Sequence, residues 1–306
     1  MLRRLRGELA AWRGVDGHLK ELYRAVGDLN DFRQRTELMA EIPAVMAWIA
    51  AAELWTAPLV SVVMPTRHRT ALLPRAIRSV LAQTYGNWEL VIVADQDPVD
   101  PAAIVDGFDD PRLRLLHGDR SGHRAARNRG LDGARGELIA YLDDDNVMHH
   151  GWLKSVVWAF EQRSALNVLY VAIVIDDPER MRGEGDRAVP TAYLHPFDRE
   201  ELARRNLADM SAIAHRAGLP EARFDEAVEL PPDWDLLLRL SGEDEPLALP
   251  ALACFYLTDA PGRVSTGRTD ESDAAQIRAR LRGLDRGMLP RTGARGAIRK
   301  PDERGI

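Results

Sequence analysis

Apolar positions at the start of the chain recur every three or four residues. Leu5, Leu9 and Trp12 follow that spacing, then Leu19, Leu22, Tyr23, Val26 and Leu29. This predicts amphipathic helices over residues 1 to about 57, broken at Gly14–Gly17, with Pro43 starting a third helix. From Leu59 onward, short apolar runs alternate with helical stretches. Strands are expected at Leu59–Met64 (stopped by Pro65), Trp88–Ala94, Arg112–His117, Glu137–Leu142, Val168–Ile175 and Leu247–Leu257. The helices between and after them are Ala71–Gln83, Pro101–Phe108, Gly122–Leu131, Trp152–Gln162, Asp198–Arg205 and Trp234–Leu240. Pro232-Asp233 opens the last of these, since an early Pro and an acid near the N-terminus both suit a helix start. Asp209–Ala214 reads as a short extended piece, Arg223–Glu226 as a turn and Asp176–Pro190 as a mobile polar loop.

Strands separated by helices of about ten residues imply an α/β fold built on a mostly parallel twisted sheet with right-handed crossovers. Three parts follow: a helical extension over 1–57, an α/β domain over 58–258, and a polar tail over 259–306. The tail holds one helix, Ser272–Leu284, and its last twenty residues are too polar to order.

One stretch organises the rest. In Leu138-Ile139-Ala140-Tyr141-Leu142-Asp143-Asp144-Asp145, a buried-strand pattern runs straight into three acids. With 47 acids in 306 residues, about one acidic triplet arises by chance. Glu243-Asp244-Glu245 is such a run, between Gly242 and Pro246, and reads as a solvated loop. Position distinguishes the first triplet, because ligands of open α/β sheets bind beyond the carboxyl ends of the strands. Two carboxylates one residue apart there can hold a divalent cation, with oxygen donors suited to Mg²⁺ or Mn²⁺.

Composition narrows the classes. A hydrophobic fraction of 45% and a charged fraction of 29% are those of a soluble globular protein. A net charge of −6 argues against nucleic-acid binding. The lone cysteine, Cys254, excludes an internal disulfide and fits a reducing, cytoplasmic setting. It lies in an apolar run and reads as a buried inert thiol. No stretch is apolar and long enough to span a bilayer, while peripheral membrane contact and homo-oligomers through the N-terminal helices stay open.

Several pieces resemble, in order, the motifs of family 2 glycosyltransferases. They are Val62-Val63-Met64-Pro65-Thr66-Arg67-His68-Arg69, Ala76–Tyr85, Trp88–Asp95, Gly122–Gly130, the Asp143-Asp144-Asp145 triplet at the DxD position, and Phe224-Asp225-Glu226 followed by Asp233–Leu240. The resemblance implies a GT-A fold and inverting transfer of a sugar from a UDP, dTDP or GDP donor to a hydroxyl acceptor, whether glycan, lipid-linked or small molecule. It implies Mn²⁺ or Mg²⁺ on Asp145 and Asp143, and nucleotide contacts from Pro65, Thr66, Arg67, Asp95, Arg127, Asn128, Asp143 and Asp144. From the residues alone, Asp144 reads as a solvent-facing or turn residue.

Asp95 ends the second strand, and its carboxylate can accept a ring N–H from uracil, thymine or guanine. Asp233 stands at the position of the family's catalytic base, with Asp235 as runner-up. Two features depart from the family pattern. Pro232 replaces the acid that often precedes the base, and Phe255-Tyr256-Leu257-Thr258-Asp259 lacks the aromatic-Arg-x-His segment. These departures motivate a second reading, a non-catalytic nucleotide-sugar-binding scaffold. A nucleotidyltransferase would need a glycine-rich loop after the first strand, which is absent. His149-His150 read as a helix-start surface rather than ligands. Gly183–Ala188 fits a dinucleotide fingerprint loosely, but it lies in a polar loop.

Overall fold

The computed structural model describes residues 37–95, 99–118, 122–176, 191–227, 231–242 and 244–257. Expectations for the helices of residues 1–36, the loop of residues 177–190 and the tail with its helix at Ser272–Leu284 lie outside the described residues.

A helix over 37–51, α1, precedes strand β1 (Val60–Thr66). Then follow α2 (Leu73–Leu81), β2 (Trp88–Ala94), α3 (Ala102–Asp106), β3 (Leu113–His117), α4 (Gly122–Gly133) and β4 (Leu138–Tyr141). The second half holds β5 (Val147–Met148), α5 (Trp152–Gln162), β6 (Val168–Asp176), β7 (Thr191–Tyr193), α6 (Arg199–Leu202), β8 (Ile213–Arg216), α7 (Pro232–Leu240) and β9 (Leu247–Leu257). The strands form one sheet in the order β3-β2-β1-β4-β8-β6-β9-β5, with β7 on β6. The pairs β3–β2, β2–β1 and β1–β4 are parallel, as expected. Beyond β4 the sheet turns mixed: β8 runs antiparallel to both β4 and β6, while β6 and β9 are parallel.

The strand alternation assigns the two faces. Val60, Val62, Met64, Leu138, Ala140 and Leu142 pack against α2 and α5. Val63, Ile139 and Tyr141 pack on the other face, where Trp234, Leu237 and Phe224 cover them. Such two-sided burial explains why these strands read as continuous apolar runs rather than alternating ones. On the second face α4 lies against β1 and β2, and Gly130 permits it, because a Cβ there would collide with the Val63 side chain.

The structure corrects some local readings. β1 runs through Pro65, which pairs with Val93. The Val63 carbonyl accepts from the Leu142 N–H on the β4 side, and β4 pairing ends at Val63. Pro65, two residues on, turns its missing N–H to that same vacated side, so no ladder bond is lost. Likewise Pro43 lies inside α1, not at its start. Ile42 and Ile49, buried on either side of it, hold the helix against the domain and offset the forfeited bond. Within Asp209–Ala214, Met210–Ala212 forms a 3₁₀ turn and the strand starts only at Ile213.

Candidate functional site

The parallel order β3-β2-β1-β4 reverses direction of growth at β1, so a crevice opens beyond the carboxyl ends of β1 and β4. Thr66 ends β1, Asp95 follows β2, and Asp143-Asp144-Asp145 follow β4. Strand parity then separates the triplet. Asp143 continues the Ile139–Tyr141 face toward α4, where Arg127 Nη2 donates to its Oδ1 at 2.5 Å. Asp144 continues the opposite face, and its Oδ2 accepts from Thr66 Oγ1 at 2.8 Å. Asp144 is only 3% exposed, which corrects the solvent-facing reading. Burial pushes its carboxyl up to about 6, against the opposing pull of Thr66 and Arg69.

Arg69 closes the turn. Its Nη1 lies 3.0 Å from Asp144 Oδ1 and 2.7 Å from Asp145 Oδ2. Partial burial disfavours its charge, yet Asp145, Asp144 and Asp143 together hold it above the ordinary arginine range. Arg75 Nη2 secures the same turn by donating to the Asp145 carbonyl at 3.1 Å. Asp95 is buried and accepts the Gly122 N–H at 3.1 Å, and Arg67 approaches its Oδ2 to 3.9 Å.

Asp233 lies in the first turn of α7. Burial pushes its carboxyl above the ordinary range, while the Trp234 N–H at 2.9 Å, the Asn206 side chain and the charge of Arg127 pull it down; Asp143 adds a further upward push. Asp233, Asp143 and Arg127 therefore lie within electrostatic reach of one another. Asp235, the runner-up base, is fully buried and turned away, paired with Arg239 at 3.2 Å and Arg124 at 3.5 Å. Asn128 also turns elsewhere. Its amide donates to the Phe224 carbonyl and Glu226 Oε1 at 2.9 Å each and accepts the Phe224 N–H at 2.8 Å. That pins the 224–226 segment to α4. Pro65 is a half-buried strand residue.

Two further residues escaped the sequence reading. Asp209 accepts the Ser211 N–H at 2.9 Å, and burial with Asp143 and Asp233 nearby pushes its carboxyl up to about 8. Ser211 Oγ lies 3.3 Å from the Asp143 N–H and accepts from Asn146 Nδ2 at 3.0 Å, so it supports the triplet from below. The only available signal was the Asp-x-Ser spacing of an Asx turn, which does not reveal what it faces. Cys254 is buried behind Ser211, and burial pushes its thiol up, as befits an inert group.

Asp143 and Asp145 offer the oxygen donors of a Mg²⁺ or Mn²⁺ site. Among the described residues, no three His, Cys, Asp or Glu side chains converge as a ligand set. A cation at the turn would have to draw Asp145 from Arg69. Two cavities, of about 350 and 300 Å³, lie elsewhere, beside Lys154 and beside Pro220, and neither contains these acids.

Residues 61–222 match the family model described as Glycosyl transferase family 2. Over 187 residues the chain is 32% identical to WcaA of Escherichia coli, named for colanic acid biosynthesis, covering 60% of this chain and 66% of that one. It is 39% identical over 90 residues to WfgD of Escherichia coli, named as a UDP-Glc:α-D-GlcNAc-diphosphoundecaprenol β-1,3-glucosyltransferase, covering 29% of this chain and 36% of that one. The chain thus spans less than two thirds of the length of these curated relatives. Among solved structures, residues 1–349 of TarS from S. aureus, in complex with UDP-GlcNAc, superpose with a TM-score of 0.61 at 15% identity, over 76% of this chain and 68% of that one. That likeness concerns the fold, which is the GT-A architecture expected from sequence.

Proposed function

The chain belongs to glycosyl transferase family 2, and on that premise we propose that it moves a sugar from a nucleoside-diphosphate donor to a hydroxyl acceptor with inversion, Asp233 serving as general base. The reading rests on one observation: Asp233 stands within electrostatic reach of Asp143 and Arg127. An acceptor hydroxyl must lose its proton as it attacks the anomeric carbon, and a carboxylate on the side opposite the leaving phosphate can take it. A carboxyl raised by burial is the stronger base for this step, and it accepts the proton as the new glycosidic bond forms.

Donor recognition falls to the strand ends. Asp95 accepts a ring N–H of the base, with Arg67 beside it. Thr66 fixes Asp144 through the bond between their side chains, and so fixes the turn that carries Asp143 and Asp145. Arg127, 4% exposed, holds Asp143 through Nη2 and adds its positive charge to the side of the crevice that takes the diphosphate. A Mn²⁺ or Mg²⁺ ion held by Asp145 and Asp143 would neutralise charge on the departing nucleoside diphosphate. For the acceptor, a lipid-linked sugar draws support from the name of the relative WfgD. A cytoplasmic location agrees with the absence, among the described residues, of any helix long and apolar enough to cross a membrane.

The test is a turnover assay on a panel of UDP-, dTDP- and GDP-sugars with Mn²⁺ or Mg²⁺, paired with nucleotide binding by calorimetry. Asp233→Asn is expected to lower kcat by about 10²–10⁴ while nucleotide affinity stays within a factor of about three. Undiminished turnover in that variant would remove Asp233 from the mechanism. Binding without turnover across the whole panel in the wild type would favour the non-catalytic scaffold.

A further inference from the structure

Arg69 occupies a place that chemistry gives to a cation. Its guanidinium bridges Asp144 and Asp145 at 3.0 and 2.7 Å, and Asp143 adds to the field that holds its charge. The side chain is 16% exposed, so water screens this cluster only in part. The loop that delivers it is bent for the purpose. His68, between Arg67 and Arg69, has φ 55°, a left-handed conformation uncommon for a residue with a side chain. The bend sends Arg67 to Asp95 and Arg69 to the acidic turn. Asp145 therefore has one carboxylate oxygen committed to an internal cation, while Arg127 holds Asp143 from the other side. A divalent ion entering alone meets two guanidinium groups and must strip Asp145 from one of them.

We propose that Arg69 is a built-in counter-cation of the acidic turn that makes metal binding conditional on a nucleoside diphosphate. The proposal rests on the glycosyltransferase reading above. Phosphate oxygens of the incoming donor offer Arg69 a charge-assisted partner in place of the Asp145 oxygen that its Nη1 leaves. Asp145 is then released to the metal as the nucleotide arrives, and the two ligands bind with positive linkage. The same switch keeps the acidic turn charge-compensated when no donor is present.

The experiment reads Mn²⁺ binding rather than activity. Bound Mn²⁺ is measured by electron paramagnetic resonance, with and without UDP, dTDP or GDP, in the wild type, Arg69→Gln, Arg69→Lys and Asp145→Asn. Thermal melts check that each variant is folded. The wild type is expected to bind Mn²⁺ at least tenfold more tightly with one of the nucleotides than without. R69Q should gain at least tenfold in nucleotide-free Mn²⁺ affinity, whereas R69K, which keeps the charge, should stay near the wild type. Equal nucleotide-free affinity in R69Q and wild type overturns the role of Arg69; if D145N still abolishes binding, the metal reading survives that failure. If R69Q does not fold, the wild type alone decides, and no gain from any nucleotide overturns the proposal. Absence of Asp145-dependent Mn²⁺ binding under every condition overturns both the gate and the metal reading.

Discussion

At position 209 a carboxyl is shut in beside two others, Asp143 and Asp233, and its proton is the least costly way to relieve the charge. An unfolded Asp releases that proton near its ordinary value of 3.8, whereas the folded group keeps it up to about 8. Below the lower value both states are protonated. Between the two, the folded state holds a proton that the unfolded state has shed, so stability falls as pH rises through this window. Asp209→Asn keeps an oxygen for the Ser211 N–H and removes the titration. Its melting temperature relative to the wild type should rise from pH 5 to pH 8, by a few degrees, roughly. A difference that stays flat across that range would mean that Asp209 is ionised in the fold. Asp233 shares the direction of shift, from burial first, so the acid limb of the turnover profile is expected above the ordinary carboxylate range.

Helices α4 and α7 carry Arg127 and Asp233, and their mutual placement is fixed by buried polar bonds rather than by a shared apolar seam alone. Asp235 joins Arg124 of α4 to Arg239 of α7, and Arg239 also donates to the Glu221 and Arg223 carbonyls. Removing the carboxylate leaves two guanidinium groups facing each other in the interior. Asp235→Ala should lower unfolding free energy by about 3–5 kcal/mol in urea titrations. On the sheet side, Gly130→Ala drives a methyl into Val63 and lifts α4 from β1. A loss of about 1–3 kcal/mol is expected, together with weaker nucleotide binding as Arg127 moves with its helix. Wild-type stability in either variant would show that the helix can shift to absorb the change.

Taken whole, the molecule binds its first described helix into the main core. Ile49 of α1 is 1% exposed within the cluster that holds Trp152, Val156 and Phe160. The Lys154 Nζ donates to the Ala50 carbonyl, and Glu161 accepts the Trp55 and Thr56 N–H groups. The sequence predicts a helical extension before the α/β domain, and residues 37–51 of it pack against that domain through Ile49. Ile49→Ala should accordingly cost about 2–5 kcal/mol in denaturant unfolding, with no dependence on protein concentration. A cost under about 0.5 kcal/mol would mark α1 as dispensable to the domain.

Most strands, most helices and the acids at the strand ends were legible in the sequence because the signals are local. A buried parallel strand must be largely apolar on both faces, as residues 90–94 are, and an acid that ends such a run lies beyond the strand's carboxyl end. Parity along Leu138–Tyr141 even fixes which side of the sheet Asp143 faces. Tertiary structure decided the rest. The antiparallel half of the sheet depends on which distant strand lies beside β4, and the two-residue β5 exists only through its pairing with β9. Burial of Asp144, the inward turn of Asp235, the crowding of Asp209 and the grip of Arg69 on Asp145 arise between residues far apart in the chain. Charge energies vary steeply with distance and dielectric, and a sequence supplies neither.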